Sequence, residues 1–209
     1  AGCPSLSSNV TAEPGNWEKA ANAAWTSQGQ PKVFFYGSIA CPYCSASSWA
    51  IVFALQHFGV LTGTSYGYSN VNDNPSHIPE TILAGSALQS SYVSWDVAES
   101  TNDNQITTPG VAGCTEQAFV STYDNGGSIP FFVIGGTYIH TGSFVDPTQL
   151  AGMTTAQVQG QVSNQSGTAW NAISTPAWTL EAFLVKADGG VPTSVANDPH
   201  VAPILAQIH

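Results

Sequence analysis

The 209-residue chain predicts an α/β fold, and three observations carry that expectation. Val33-Phe34-Phe35-Tyr36 is a β-branched and aromatic run closed by Gly37, the pattern of a buried strand. From Ser45 to Phe58 no Gly or Pro interrupts, and Trp49, Val52, Phe53 and Leu55 recur at helical spacing, so a helix follows the strand directly. Further on, Phe131-Phe132-Val133-Ile134 and Tyr138-Ile139-His140 flank Gly135-Gly136, the signal of a β-hairpin.

Each remaining element has its own signal. After Pro14-Gly15, the residues Trp17, Ala20, Ala21, Ala24 and Trp25 fall at i, i+3, i+4, i+7 and i+8, which predicts a first helix ended by Gln28-Gly29-Gln30-Pro31. Gly37 to Ala40 turn the chain into Cys41-Pro42-Tyr43-Cys44, and Gly59 stands where a helix takes a left-handed terminating residue. Leu61 to Ser90 is rich in Gly, Ser, Asn, Tyr and Pro and reads as an insertion with short strands or turns near Tyr66–Tyr68. Tyr92, Val93, Trp95 and Val97 predict a second core strand, Thr101 to Gly113 a loop, and Thr115 to Tyr123 a short helix with Glu116 in its first turn. Pro130 opens or edges the first hairpin strand, because a proline cannot donate within a paired strand. Asp146-Pro147 and the capping box Thr154-Thr155-Ala156-Gln157 each start a helix. Another runs from Ala177 to Ala187 and stops at Gly189-Gly190, and Asp198-Pro199 begins a last short one. A chain of this length buries one good core. The expected organisation is a single domain over 1–209, with an insertion at 60–90 and a C-terminal helical extension at 152–209.

Charge excludes several function classes. Only 8% of residues are charged, against about 25% in an ordinary globular protein. Lys19, Lys32 and Lys186 are the only basic side chains besides histidines, and the net charge is −10. No basic patch is available for phosphates, which argues against nucleic acid and anionic membranes as partners. A surface built from Ser, Thr, Asn and Gln changes little when carboxylates protonate, which points to an acidic, extracytoplasmic setting. No run approaches a membrane span, and the start at Ala1 without Met fits a processed secreted chain. Asn9-Val10-Thr11 and Asn164-Gln165-Ser166 are glycosylation sequons.

The chemistry centres on Cys41 and Cys44. Unpaired N–H groups and the positive end of the dipole stabilise an anion at a helix N-terminus, so Cys41 is expected to be an exposed, easily ionised attacking thiolate. Cys44, one turn on, can resolve a mixed disulfide, and Pro42 suits a first-turn position. Half of a zinc site and a plain structural disulfide are the competing readings. Zinc needs two more ligands at matched spacing, and there is no second CxxC, so no metal is expected. Cys3 and Cys114 would pair in an oxidising compartment, while Ala1-Gly2-Cys3 also looks like a lipoprotein processing site; the disulfide is preferred. His57, His140, Ser38 and Ser45 read as incidental, and Trp49 as core.

The order strand, CPYC, helix, strand, helix, Ile129-Pro130, hairpin and closing helix resembles the thioredoxin-fold superfamily over Lys32–Gly59 and Tyr92–Leu150. The whole chain also resembles a little-characterised family of prokaryotic CPYC proteins described as a domain of unknown function. The resemblance implies a thioredoxin fold: a central mixed sheet flanked by helices, here with the insertion and extra C-terminal helices. It also implies that Pro130 is cis and packs on the Cys41–Cys44 pair, and that the backbone of Ile129 holds substrate beside Pro42 and Tyr43. Two departures stand out. The buried acid found in thioredoxins six residues before the first cysteine is Phe35 here, and the Trp often preceding that cysteine is Ala40. CPYC is also the glutaredoxin centre, but His140 and Thr141 stand where glutaredoxins carry Gly-Gly, and basic residues for glutathione are scarce.

These readings lead to a secreted thiol–disulfide oxidoreductase acting on protein thiols, an oxidase or isomerase, with no cofactor beyond its own disulfide. Its partners would be protein thiol and disulfide substrates, and a membrane redox partner also fits. The alternative is a structural or adhesive protein that keeps the fold and uses the pair as a staple.

Overall fold

The computed structural model describes residues 3–107, 109–111, 113–124 and 126–209. Of the lipoprotein reading, Ala1 and Gly2 lie outside the described residues, and so do Thr108 and Ala112 of the predicted loop. The strands and helices, in chain order, are β1 (Val10–Ala12), β2 (Glu18–Ala20), β3 (Thr26–Ser27), β4 (Gln30–Ser38), α1 (Pro42–Gln56), β5 (Gly59–Thr62), β6 (Ser65–Tyr68), β7 (Pro79–Ile82), β8 (Ala87–Ser90) and β9 (Ser94–Ser100). Then follow α2 (Cys114–Tyr123), β10 (Phe131–Ile134), β11 (Tyr138–Thr141), α3 (Thr155–Ser163), α4 (Thr168–Ala187), α5 (Thr193–Ala196) and α6 (Val201–Leu205). The architecture is α/β around a mixed sheet ordered β1-β2-β11-β10-β4-β3, with β9 also on β4.

β4 is the hub of that sheet. It runs parallel to β9, pairing Lys32 with Ser94 through Ser38 with Ser100, and antiparallel to β10, pairing Phe35 with Phe132. Because side chains alternate across a strand, each face of β4 feeds a different core. Val33 and Phe35 join Phe132, Leu55 and Phe183 on the side of α1 and α4, whereas Phe34 and Tyr36 meet Phe119 and Val133 on the side of α2. Both faces are therefore covered, which is why the strand reads as a continuous apolar run instead of an alternating one.

The hairpin forms where its glycines allow it, with Gly135 at φ 60° and Gly136 at φ 76°. Both halves of the Thr154–Gln157 capping box are made, and Gly189 and Gly190 terminate α4 at positive φ. α4 is longer than its sequence signal. It begins at Thr168 and passes through Pro176, burying Ile173, Ala177, Leu180 and Leu184 along one side. The Asp146-Pro147 start gives only a four-residue 3-10 turn, Pro147–Leu150. The 60–90 stretch holds two separate two-stranded sheets, β5 with β8 and β6 with β7.

Two local expectations fail. The first helix at Trp17–Trp25 does not exist: β2 pairs with β1 and β11 there, and Ala21 is tied to the Asn9 carbonyl. Gln28 at φ 53° and Gly29 at φ 80° then fold β3 back on β4 as a tight hairpin. Three alanines mimic a helical stripe, but Trp17 is buried against Phe183, with ring centroids 4.5 Å apart, and sheet pairing overrides propensity. Gly59 is not a left-handed terminator either. It is the first residue of β5, where a Cβ would run into the Gln89 carbonyl oxygen, so close backbone approach is what requires glycine.

Candidate functional site

Cys41 is the N-cap of α1 and Pro42 its first residue, so the unpaired N–H groups of the first turn converge on the Cys41 sulfur. The Cys44 amide donates to Cys41 Sγ at 3.4 Å, and both cysteines are free thiols. The two are pushed in opposite directions. Cys41 is lowered from the ordinary thiol range, first by hydrogen bonding from the Cys44 thiol, then by the Cys44 and Tyr43 amides acting against burial and the charge of Asp73. Cys44 is raised well above that range, chiefly by burial and then by Cys41 itself.

On the opposite wall, the Ile129–Pro130 peptide is cis, and Cys41 Sγ lies 3.8 Å from the Ile129 carbonyl oxygen. Pro130 is buried and Ile129 partly so, immediately before β10, whose Phe131 pairs with Tyr36 of β4. The sheet thus brings together Cys41, Cys44, Ile129 and Pro130. Of the residues between the cysteines, Pro42 is buried and Tyr43 stands out at 45% exposure.

The expectation of an exposed Cys41 is overturned, since its exposure is 3% and that of Cys44 is 1%. The insertion packs against this turn. After β6 the chain passes over the helix start, and Asn70 donates its amide to the Ala40 carbonyl at 3.1 Å. The Asn70 side chain donates to the Asn104 carbonyl at 2.7 Å, tying this cover to the loop after β9. Strand β7 docks beside it on α1, with Trp49 Nε1 donating to the Pro79 carbonyl and the Thr81 amide to Ser48 Oγ. Trp49 is core, as its helical spacing predicts.

Two glutamates near the thiols carry no recognisable sequence signal. Glu80 of β7 is 1% exposed, pairs with Ser45 Oγ at 2.8 Å, and is pushed by burial to about 9. Glu99 of β9 accepts from the Leu83 and Ala84 amides at 2.8 and 2.7 Å, and burial lifts it to about 7. Neither belongs to a motif, and only their position on strands next to the dithiol marks them out.

The other candidates are structural. His57 pairs with the buried Glu181 at the far end of α1. His140 is buried beside Phe144, with ring centroids 4.5 Å apart, and burial lowers it to about 4. Cys3 and Cys114 form a disulfide that ties the N-terminal segment to the first residue of α2. Among the described residues no group of three or more His, Cys, Asp or Glu could hold a metal ion. Among them, too, no helix is long and apolar enough to cross a membrane.

The fold and site define an α/β protein with a buried dithiol at a helix N-terminus, facing the backbone that leads into a paired strand. The chain is similar over residues 16–110 to a family model described as a domain of unknown function (DUF929). That span takes in the CPYC turn, α1, the insertion and β9, but ends before Ile129-Pro130. No curated protein and no solved structure matches the chain.

Proposed function

We propose that this chain is a thioredoxin-like, extracytoplasmic thiol–disulfide oxidoreductase acting on protein thiols, in the direction of oxidation or isomerisation. One observation carries the reading: the Cys41 sulfur, lowered in pKa at the start of α1, lies 3.8 Å from the Ile129 carbonyl oxygen. A substrate strand lying along Ile129 would present its own sulfur to Cys41. A lowered Cys41 favours the reduced pair, and a protein whose dithiol form is stabilised gives its disulfide away readily. The Cys3–Cys114 disulfide supports an oxidising compartment. Cys44, held protonated, serves as the partner sulfur that closes or opens the ring with Cys41.

The test is to trap the covalent intermediate. Cys44→Ala, incubated with a peptide disulfide, should accumulate an adduct on Cys41, and Cys41→Ala should not. Equilibrating the intact protein in thiol–disulfide buffers would read the potential of the pair.

The burial of Cys41 favours a second reading, a structural staple. In that case the Cys41–Cys44 disulfide would resist mild reductant and no adduct would form.

A further inference from the structure

The geometry points to Glu99 as the group that exchanges a proton with Cys44 during disulfide exchange, an inference that rests on the oxidoreductase reading above. Cys44 is almost fully buried, so a bare thiolate left there is costly and a proton must come from inside the fold. Gly37 is one point where the sheet meets Cys44, because a Cβ at Gly37 would stand 3.0 Å from Cys44 Sγ. Gly37 pairs in parallel register with Glu99, so both project to the same face of the sheet. Neighbouring strands lie about 4.8 Å apart, so with the 3.0 Å from Gly37 to the sulfur the base of the Glu99 side chain lies within about 8 Å of Cys44 Sγ. Phe35, on the same face of β4, has no proton to offer.

Glu99 is also held and supplied with an outlet. One carboxyl oxygen, Oε2, takes both the Leu83 and Ala84 amides, which fixes the side chain. A cavity of about 440 Å³ opens onto it along the outer edge of β9, lined also by Ala84, Val97 and Gly110, and gives protons a route to solvent. The titratable groups whose charges act with Glu99 are Cys44 from α1 and Glu80 from β7, while Asp96 on its own strand turns to Lys32. Burial lifts Glu99 to about 7, below the raised Glu80 at about 9, so near neutral pH it can both give and take a proton.

A substrate thiolate attacks Cys41 Sγ of the Cys41–Cys44 disulfide. The S–S bond breaks, and Cys44 leaves with its electron pair and takes the proton of the Glu99 carboxyl. A second substrate thiolate then attacks the substrate sulfur of the mixed disulfide, and Cys41 leaves as thiolate. The substrate dithiol is oxidised to a disulfide, the protein pair is reduced, and Glu99 recovers a proton through the cavity.

Glu99→Gln tests this, because its amide oxygen still accepts from Leu83 and Ala84. Reduction of the Cys41–Cys44 disulfide by dithiothreitol is followed from pH 5 to 9 in wild type, Glu99→Gln and Glu80→Gln. The wild-type to Glu99→Gln rate ratio should be about 10²-fold in acid and fall towards one as pH rises through about 7. A ratio independent of pH, or the same profile in Glu80→Gln, overturns the assignment. Carboxyl carbon-13 titration of the intact protein gives a second reading, with the Glu99 midpoint moving between disulfide and dithiol forms. An unmoved midpoint also overturns it. If wild type itself is not reduced by dithiothreitol, the oxidoreductase reading fails, which is a separate outcome.

Discussion

Ser45 Oγ stands 2.8 Å from Glu80 Oε2 and 3.0 Å from the Cys41 carbonyl oxygen, so one hydroxyl faces two acceptors. It carries a single proton, and a protonated Glu80 supplies the second. The insertion strand β7 therefore touches the first turn of α1 through a carboxylic acid, one residue from Cys44. The fold holds acids in their neutral form around its dithiol, and stability and chemistry both inherit that dependence.

Stability should accordingly be greater in mild acid than in alkali. Burial raises Glu80 to about 9, Glu99 to about 7 and Asp124 to about 6, while an unfolded carboxyl titrates near 4. A raised folded pKa means a contribution present below the unfolded value and lost as pH climbs through the folded one. His140, lowered to about 4, works the other way, its contribution being lost as pH falls below about 6.5. With three acids against one histidine, the urea midpoint should fall between pH 5 and pH 9, and Glu80→Gln should shrink that difference. A midpoint that rises over this range would contradict the burial of neutral acids.

Cys41 should titrate below the ordinary thiol value of about 8.5, read from absorbance near 240 nm. The Cys44 thiol is its main hydrogen-bond donor, so Cys44→Ser, which keeps a donor, should hold the low midpoint and Cys44→Ala should raise it. Equal midpoints in the two variants would show that the helix start alone depresses Cys41.

Gly37→Ala should loosen the dithiol. The added methyl would meet the Phe35 ring at 2.6 Å and Cys44 Sγ at 3.0 Å, an overpacking that costs about 1–3 kcal/mol. Denaturant titration should show that loss, and alkylation of Cys44 in the reduced protein should quicken.

The Cys3–Cys114 bridge closes a loop of sequence separation 111. By the chain-entropy model its removal costs about 4–5 kcal/mol. Cys3→Ala/Cys114→Ala should unfold at clearly lower denaturant, with Cys41 reactivity unchanged, because the bridge anchors α2 on the opposite face of the sheet from α1.

Local chemistry is what the sequence determined by itself. The run Val33–Tyr36 is apolar at every position, the Cys41 turn carries Pro42, and Gly135-Gly136 and the Thr154–Gln157 box act within a few residues, so strand, helix start, hairpin and cap were all legible. So was the Cys3–Cys114 pairing, from the cysteine count. The false helix at Trp17–Trp25 and the misread Gly59 show where that stops, since both segments take their shape from strands far along the chain. Only the tertiary structure decided that Cys41 is buried, that Asn70 docks on the adjoining Ala40, and that Glu80 and Glu99 stand near the thiols. Those acids lie 35 and 55 residues from their partners Ser45 and Cys44. Burial, not local spacing, sets their protonation, and burial exists only once the insertion has docked on α1 and β9 has paired with β4.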